Sequence, residues 1–240
     1  MPALDAVFFD IDDTLFPTTA FARRARRNAV RAMCEAGLDA SEEVVLKELE
    51  EVIAEFSSNY EHHFDKLLTR LGPSVTADRN SALIVAAGVA AYHDTKFRTI
   101  APFDDVLPLL DELQSAGLIV GIITHGLAVK QAEKLWRLGV MRHVDPRAVF
   151  ISDQVGINKP NPKLYQHALR ALKLEPARTM YVGDNPEHDI APPLSLGMPA
   201  VWASRAARRK PVDYGIEPTH SIANFGELRD LVRDQYDVPV

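Results

Sequence analysis

The sequence predicts an α/β protein: a doubly wound parallel sheet with a second, all-helical unit inserted after the first strand. Three observations predict it. Short unbroken apolar runs rich in β-branched residues recur along the chain, helical patterns separate most of them, and one long interval carries helical periodicity alone. Apolar runs without polar alternation mark strands buried on both faces. Strands alternating with helices make a parallel sheet covered on both sides.

The first strand is expected at Ala6-Val7-Phe8-Phe9, a run that ends in Asp10. From about Thr18 to Lys96 the pattern is purely helical, and Gly37 and Gly72-Pro73 divide it into three or four helices. The expected organisation is therefore a catalytic core of residues 1–16 and 100–240, with a helical cap domain over 17–99. Further strands are expected at Leu118–Ile123, Ala148–Ile151, Thr179–Val182 and Ala200–Trp202. Helices are expected at Phe103–Ala116, Leu127–Leu138, Lys163–Leu172 and Glu187–Leu196. Gly117, Gly139 and Gly197 close three of these, where a left-handed residue is commonly needed.

Composition removes several classes of function. The 240 residues carry a formal net charge of −6, which gives no support to a nucleic-acid partner. Two basic runs, Arg23–Arg31 and Arg205–Lys210, are expected to be solvated surface. Cys34 is the only cysteine, so no intramolecular disulfide can form. The N-terminus lacks the pattern of a signal peptide, and the longest apolar stretch, Leu118–Thr124, is too short to cross a bilayer. A cytoplasmic protein with no membrane partner is the expectation.

Ligands of open parallel sheets bind at the carboxyl ends of the strands. The residues expected there form a set with complementary jobs: Asp10 and Asp12, then Thr124, His125 and Gly126, then Lys159, then Asp184. Taken alone, Asp10-Ile11-Asp12-Asp13-Thr14 would be an ordinary turn, and Thr124 or Lys159 an ordinary strand-end residue. In this order, Phe8–Leu15, Ile122–Gly126, Lys159-Pro160 and Gly183–Asp189 resemble the four motifs of the haloacid dehalogenase superfamily of phosphohydrolases. The resemblance spans Val7 to Ser204, and the inserted helices resemble the cap found between that superfamily's first two motifs.

The resemblance implies a Rossmann-like core and a magnesium-dependent phosphatase acting on a small-molecule phosphate ester. Asp10 would be the nucleophile, because an ionised carboxylate can attack phosphorus and leave an aspartyl-phosphate. Asp12 would be the general acid and base. Hard oxygen donors suit Mg2+, with Asp10 and Asp184 as side-chain ligands, Asp12 contributing its carbonyl, and Asp189 holding metal-bound water or Lys159. Thr124, the His125 and Gly126 amides and Lys159 would hold the phosphate, and Lys159→Ala would weaken phosphate stabilisation more than folding. The stretch Thr124–Gln131 resembles a subgroup of small phosphatases. The implied substrates are sugar phosphates, glyceraldehyde 3-phosphate or nucleotides, and the protein would be a monomer or homodimer.

Within the cap, Ser58–Phe64 is rich in polar and aromatic side chains, and Asn59, Tyr60 and His63 are candidate substrate contacts. A helix start with an exposed histidine pair is the alternative. A phosphomutase of the same fold remains an alternative function. A haloacid dehalogenase would not need Asp12, and a non-catalytic binding protein would be expected to break one motif, which this chain does not.

Overall fold

The computed structural model describes residues 3–57, 59–77 and 79–240. The elements run, in chain order, β1 (Ala6–Phe9), α1 (Thr18–Glu35), α2 (Glu42–Phe56), α3 (His63–Leu71), α4 (Ser81–Thr99), α5 (Val106–Ser115) and β2 (Ile119–Thr124). They continue with α6 (Ala128–Arg137), β3 (Val149–Ile151), α7 (Ser152–Val155), α8 (Lys163–Leu172), β4 (Thr179–Gly183), α9 (Ala191–Ser195), β5 (Ala200–Ala203), β6 (His220–Ile222) and α10 (Phe225–Tyr236). Two compact units result: the segment up to Thr19 together with Ala101–Val240, and Ala20–Ile100.

In the first unit the strands form one sheet in the order β3-β2-β1-β4-β5-β6, every pair parallel. β1 lies inside it, with Phe9 opposite Ile122 on one side and Val182 on the other. Successive side chains of a strand face opposite ways. Phe8 accordingly packs with Ile123, Tyr181 and Phe150 against Leu164, Tyr165, Ala168 and Leu169 of α8. Phe9 faces the other layer and stacks on Phe225 of α10, ring centroids 5.8 Å apart. Helices thus cover both faces, which is why β1, β2 and β4 are largely apolar.

Two features of this unit depart from expectation. The segment expected as one helix from Glu187 to Leu196 is a π-helical turn over Pro186–Ile190 followed by the short α9. Pro192 and Pro193 lack the N–H groups that a continuous helix would need. The edge strand β6 was not expected, because His220-Ser221-Ile222 is short and half polar.

The second unit has its own core. Val30 and Met33 of α1 pack with Val45 and Leu49 of α2, Leu67 of α3 and Ile84 of α4. Ser41 caps α2 by accepting from the Val44 amide, and Asn80 caps α4 by accepting from the Ala82 amide. The second compact unit runs from Ala20 to Ile100. The first turn of α1 bonds back to the core unit: Thr18 Oγ1 donates to Asp12 at 2.7 Å and the Thr19 amide to Asp13 at 2.8 Å.

Gly121 of β2 is where the sheet's central packing is tightest. A Cβ there would lie 2.3 Å from the Phe8 ring and 2.9 Å from the Ala148 carbonyl oxygen. Gly121→Ala is expected to cost about 1–3 kcal/mol through overpacking, measured by urea denaturation. An unchanged midpoint would mean that the Phe8 ring moves aside freely.

Candidate active site

Strand ends place most residues of the site. Asp10 leaves β1, Thr124 ends β2, and Asp184 follows β4; Lys159 lies between α7 and α8. Asp10, Asp12, His125, Lys159, Asp184 and Asp189 line one pocket of about 390 Å³. Every residue of its lining belongs to the first unit.

The centre of the site is the Lys159 ammonium, whose side chain is 2% exposed. It donates to Asp10 Oδ1 at 2.7 Å, Asp189 Oδ1 at 2.7 Å and the Tyr181 hydroxyl at 2.6 Å. Tyr181 passes its own proton to the Ile123 carbonyl at 2.7 Å, so all three ammonium protons and the phenol are satisfied. Burial opposes charging Lys159, but the carboxylates of Asp10 and Asp189 more than offset it and raise its pKa above the ordinary range. This placement corrects the expectation of a solvated lysine of little account to folding. Removing one member of a buried ion pair typically costs about 3–5 kcal/mol.

Asp189 is fixed from its other side. Its Oδ2 accepts from the Asn185 amide at 3.0 Å, and the turn carrying it is capped by Asn185 Oδ1, which accepts from the Glu187 and His188 amides. Gly183 makes room for this turn, since a Cβ there would stand 2.4 Å from the Asp189 Cβ. Asp189 holds Lys159, one of the two roles the sequence left open for it.

Carboxylate oxygens of Asp10, Asp184 and Asp189 all lie within 4.8 Å of one another. Such a donor set fits a hard divalent cation such as Mg2+, and the crowding is visible in the acids themselves. Burial, then Asp189, Asp10 and Asp13, push the Asp184 pKa up to about 9. Burial also pushes Asp10 up to about 6, with Lys159 opposing and Asp189 and Asp12 adding to the rise. Both acids thus lack the countercharge that a cation would bring.

Asp12 lives in a different environment. Lys134 Nζ donates to both its oxygens at 2.7 Å, Thr18 donates to Oδ1 at 2.7 Å, and Gln131 Nε2 lies 3.2 Å from Oδ2. Burial works to raise its pKa, but Lys134 and these donors prevail and hold it below the usual carboxylate range. The two aspartates of one motif are therefore driven apart in proton affinity, in the reverse of the order that an ionised nucleophile and a protonated acid need, so the charge of a bound cation and of the ester has to redress it. Sequence reasoning missed Lys134, although its position ten residues past Thr124, one α6 turn beyond Gln131, was the available signal.

The loop after β2 differs from expectation in detail. Thr124 is buried, its Oγ1 accepting from Gln131 at 3.2 Å, which leaves its own proton to donate. The Gly126 amide donates to Ser152 Oγ at 3.0 Å, so it is engaged within the protein rather than held open for phosphate. The His125 ring meets the same Ser152 hydroxyl at 3.2 Å and lies edge-on to His188, centroids 6.5 Å apart. Arg208 and Arg209, expected as solvated surface, are part of the pocket wall.

The residues expected in the helical unit make a local cluster there. Tyr60 stacks on Phe56 at 4.9 Å and meets the His63 ring edge-on at 5.5 Å, while His63 Nε2 bonds the Ser57 carbonyl at 2.8 Å. These contacts brace the α2–α3 connection. Asn59 lies in the same connection, and Ser58 falls outside the described residues.

A family model described as haloacid dehalogenase-like hydrolase matches residues 4–197. A glyceraldehyde 3-phosphate phosphatase of Methanopyrus kandleri is 46% identical over 235 residues, covering 96% of this chain and 98% of that protein. One of the same name from Methanothermobacter thermautotrophicus is 40% identical, covering 95% and 100%. Among solved structures, a putative beta-phosphoglucomutase from Thermotoga maritima superposes with a TM-score of 0.72 at 15% identity, covering 97% of this chain and 100% of that one, and shares the fold.

The carboxylate cluster has a consequence for cation binding. Asp184 keeps its proton up to about pH 9, so at lower pH a cation must displace that proton. Affinity for Mg2+ is therefore expected to rise with pH, by up to about tenfold per unit, with release of about one proton per ion. Titration calorimetry in two buffers of different ionisation heat measures both. Affinity independent of pH would show that Asp184 is already ionised.

Proposed function

Since the chain belongs to the haloacid dehalogenase-like hydrolase family and is a phosphoric monoester hydrolase within it, we propose that it releases phosphate from glyceraldehyde 3-phosphate, with Asp10 as nucleophile and Mg2+ as its metal. The observation that carries the chemistry is the division between Asp10, held by Lys159, and Asp12, held by Lys134. The names of the relatives at 46% and 40% identity support the substrate. We place the enzyme in the cytoplasm, as a monomer or homodimer; among the described residues no helix is long and apolar enough to cross a membrane.

In the first half-reaction a carboxylate oxygen of Asp10 attacks phosphorus, the P–O bond to the leaving group breaks, and Asp12 gives its proton to the departing alkoxide. Asp12 is ionised in the arrangement described, and the approach of a negatively charged ester raises its affinity for the proton it must carry. In the second half, Asp12 takes a proton from water, the water oxygen attacks the aspartyl-phosphate, and the bond to Asp10 breaks. Phosphate leaves and Asp10 is regenerated. Lys159 holds Asp10 in place and offers positive charge beside the phosphoryl oxygens; the Thr124 proton is free to join it. Asp10, Asp184 and the Asp12 carbonyl would hold Mg2+, which when bound supplies charge neutralisation for the phosphoryl group. Asp189 keeps Lys159 from drifting.

The helical unit, taken as a cap over 17–99, is proposed to bear on substrate preference through Asn59, Tyr60 and His63, while the chemistry stays with the core residues.

The test measures phosphate released from glyceraldehyde 3-phosphate and from p-nitrophenyl phosphate, with and without chelator. Chelation should abolish both activities. Asp10→Asn should remove turnover, and Asp12→Asn should lower it by roughly 10²–10⁴-fold, both in folded protein. Tyr60→Ala should change the ratio of the two substrates but leave the small ester near its normal rate. Full activity in Asp10→Asn, or exchange of phosphate between sugar positions without release, would overturn the reading.

A further inference from the structure

The loop that leaves β5 carries Arg205, Arg208 and Arg209, and the structure gives the three arginines different work. Arg205 forms a bidentate ion pair with Asp105 and lies 4.6 Å over the Phe103 ring, which ties the loop's start to the segment before α5. Arg209 is paired with Glu187 at 2.6 Å and lies 5.8 Å from the Tyr214 ring, which ties the loop's end to the turn that carries Asp189. The Ser204 amide adds a bond to the Ile222 carbonyl at 2.8 Å. Between these anchors stands Arg208. It is exposed, lines the pocket, and has no ion pair, hydrogen bond or ring contact among the described residues.

Four carboxylates of the same pocket are engaged elsewhere. Asp12 is held by Lys134, Asp10 and Asp189 by Lys159, and Asp13 by the Thr19 amide and hydroxyl. Depth separates Lys159 from Arg208. Lys159 is buried on the floor beside Asp10, whereas Arg208 is exposed at the mouth. A ligand whose ester phosphate meets Asp10 directs its other end outward. A guanidinium on a backbone anchored at both sides is suited to a planar or tetrahedral anion, because its fork of donors matches both and little backbone order remains to be imposed.

We propose that Arg208 is a specificity-determining residue that binds a second anionic group, a carboxylate or a second phosphate, on the far end of a small phosphate ester, and so extends the enzyme's activity to doubly anionic substrates. This rests on the reading of the pocket as a phosphatase site but not on the identity of its first substrate. Glyceraldehyde 3-phosphate has no second anion and makes no demand on Arg208.

The experiment compares kcat/KM for three substrates: 3-phosphoglycerate for the carboxylate, fructose 1,6-bisphosphate for the second phosphate, and glyceraldehyde 3-phosphate as the control with a single anionic group. Arg208→Gln and Arg208→Lys are measured beside the unchanged protein. Arg208→Gln should lower kcat/KM for one or both doubly anionic substrates by about tenfold, mostly through KM, and leave glyceraldehyde 3-phosphate within about twofold. Arg208→Lys should recover part of the loss by restoring charge without the fork. The two doubly anionic arms tell carboxylate from phosphate. An equal fall for all three substrates, no change for any, or failure of the unchanged protein to release phosphate from either doubly anionic ester would overturn the proposal. Release from a doubly anionic ester that depends on Arg208, without release from glyceraldehyde 3-phosphate, would sustain it and overturn the substrate assigned above.

Discussion

The site depends on one buried charge. Lys159 is held by Asp10, Asp189 and Tyr181, each supplied by a different part of the sheet's edge. A buried ammonium is tolerable only when its protons are all accepted and its charge is matched, and here the matching groups are also the reacting ones. The nucleophile therefore has a fixed orientation, because each proton of the ammonium is assigned to one acceptor and Asp10 is one of the three. The same arrangement makes folding and catalysis share a residue. Tyr181 connects the two, since its ring belongs to the core beneath the sheet and its hydroxyl belongs to the site.

Around that charge the protein uses two different ways of handling carboxylates. Asp10, Asp184 and Asp189 are crowded with one lysine between them, so that burial and repulsion favour the protonated forms of Asp10 and Asp184, or a cation. Asp12, only two residues from Asp10, is given a lysine of its own from α6 and a hydroxyl from the start of α1. Asp12 still adds to the rise at Asp10, but the separate partners give the two acids different proton affinities. The Asp12–Thr18 bond also ties an acid of the site to the point where the chain leaves for the helical unit.

Much of this was legible in the amino-acid sequence because strand ends are local. Phe9-Asp10, Ile123-Thr124 and Val182-Gly183-Asp184 each couple an apolar run to a polar residue, and the parallel arrangement does the rest. What escaped were features set by partners far along the chain. Lys134 is 122 residues from Asp12, and only its place one turn past Gln131 marks it among the lysines of α6. Lys159 carries no local sign of burial, because its partners lie on β1, β4 and the turn after β4. The arginines of Ser204–Lys210 resemble any solvated run until Glu187 and Asp105 are seen to claim two of them. The π-helical turn at Pro186–Ile190 was hidden by a pattern of apolar spacing that a regular helix would share.

The position of β1 inside the sheet has a bearing on how the protein comes to be made. Its two neighbours in space are β2, which begins at Ile119, and β4, which begins at Thr179. A ribosome adding about 5–20 residues each second needs on the order of ten to thirty seconds to travel from Phe9 to β4. Throughout that interval four consecutive apolar residues, Ala6–Phe9, stand without their final neighbours. Nascent chains of this design are the kind that holding chaperones shelter. Asp10 is the first of the reacting groups to leave the exit tunnel and among the last to be locked into place.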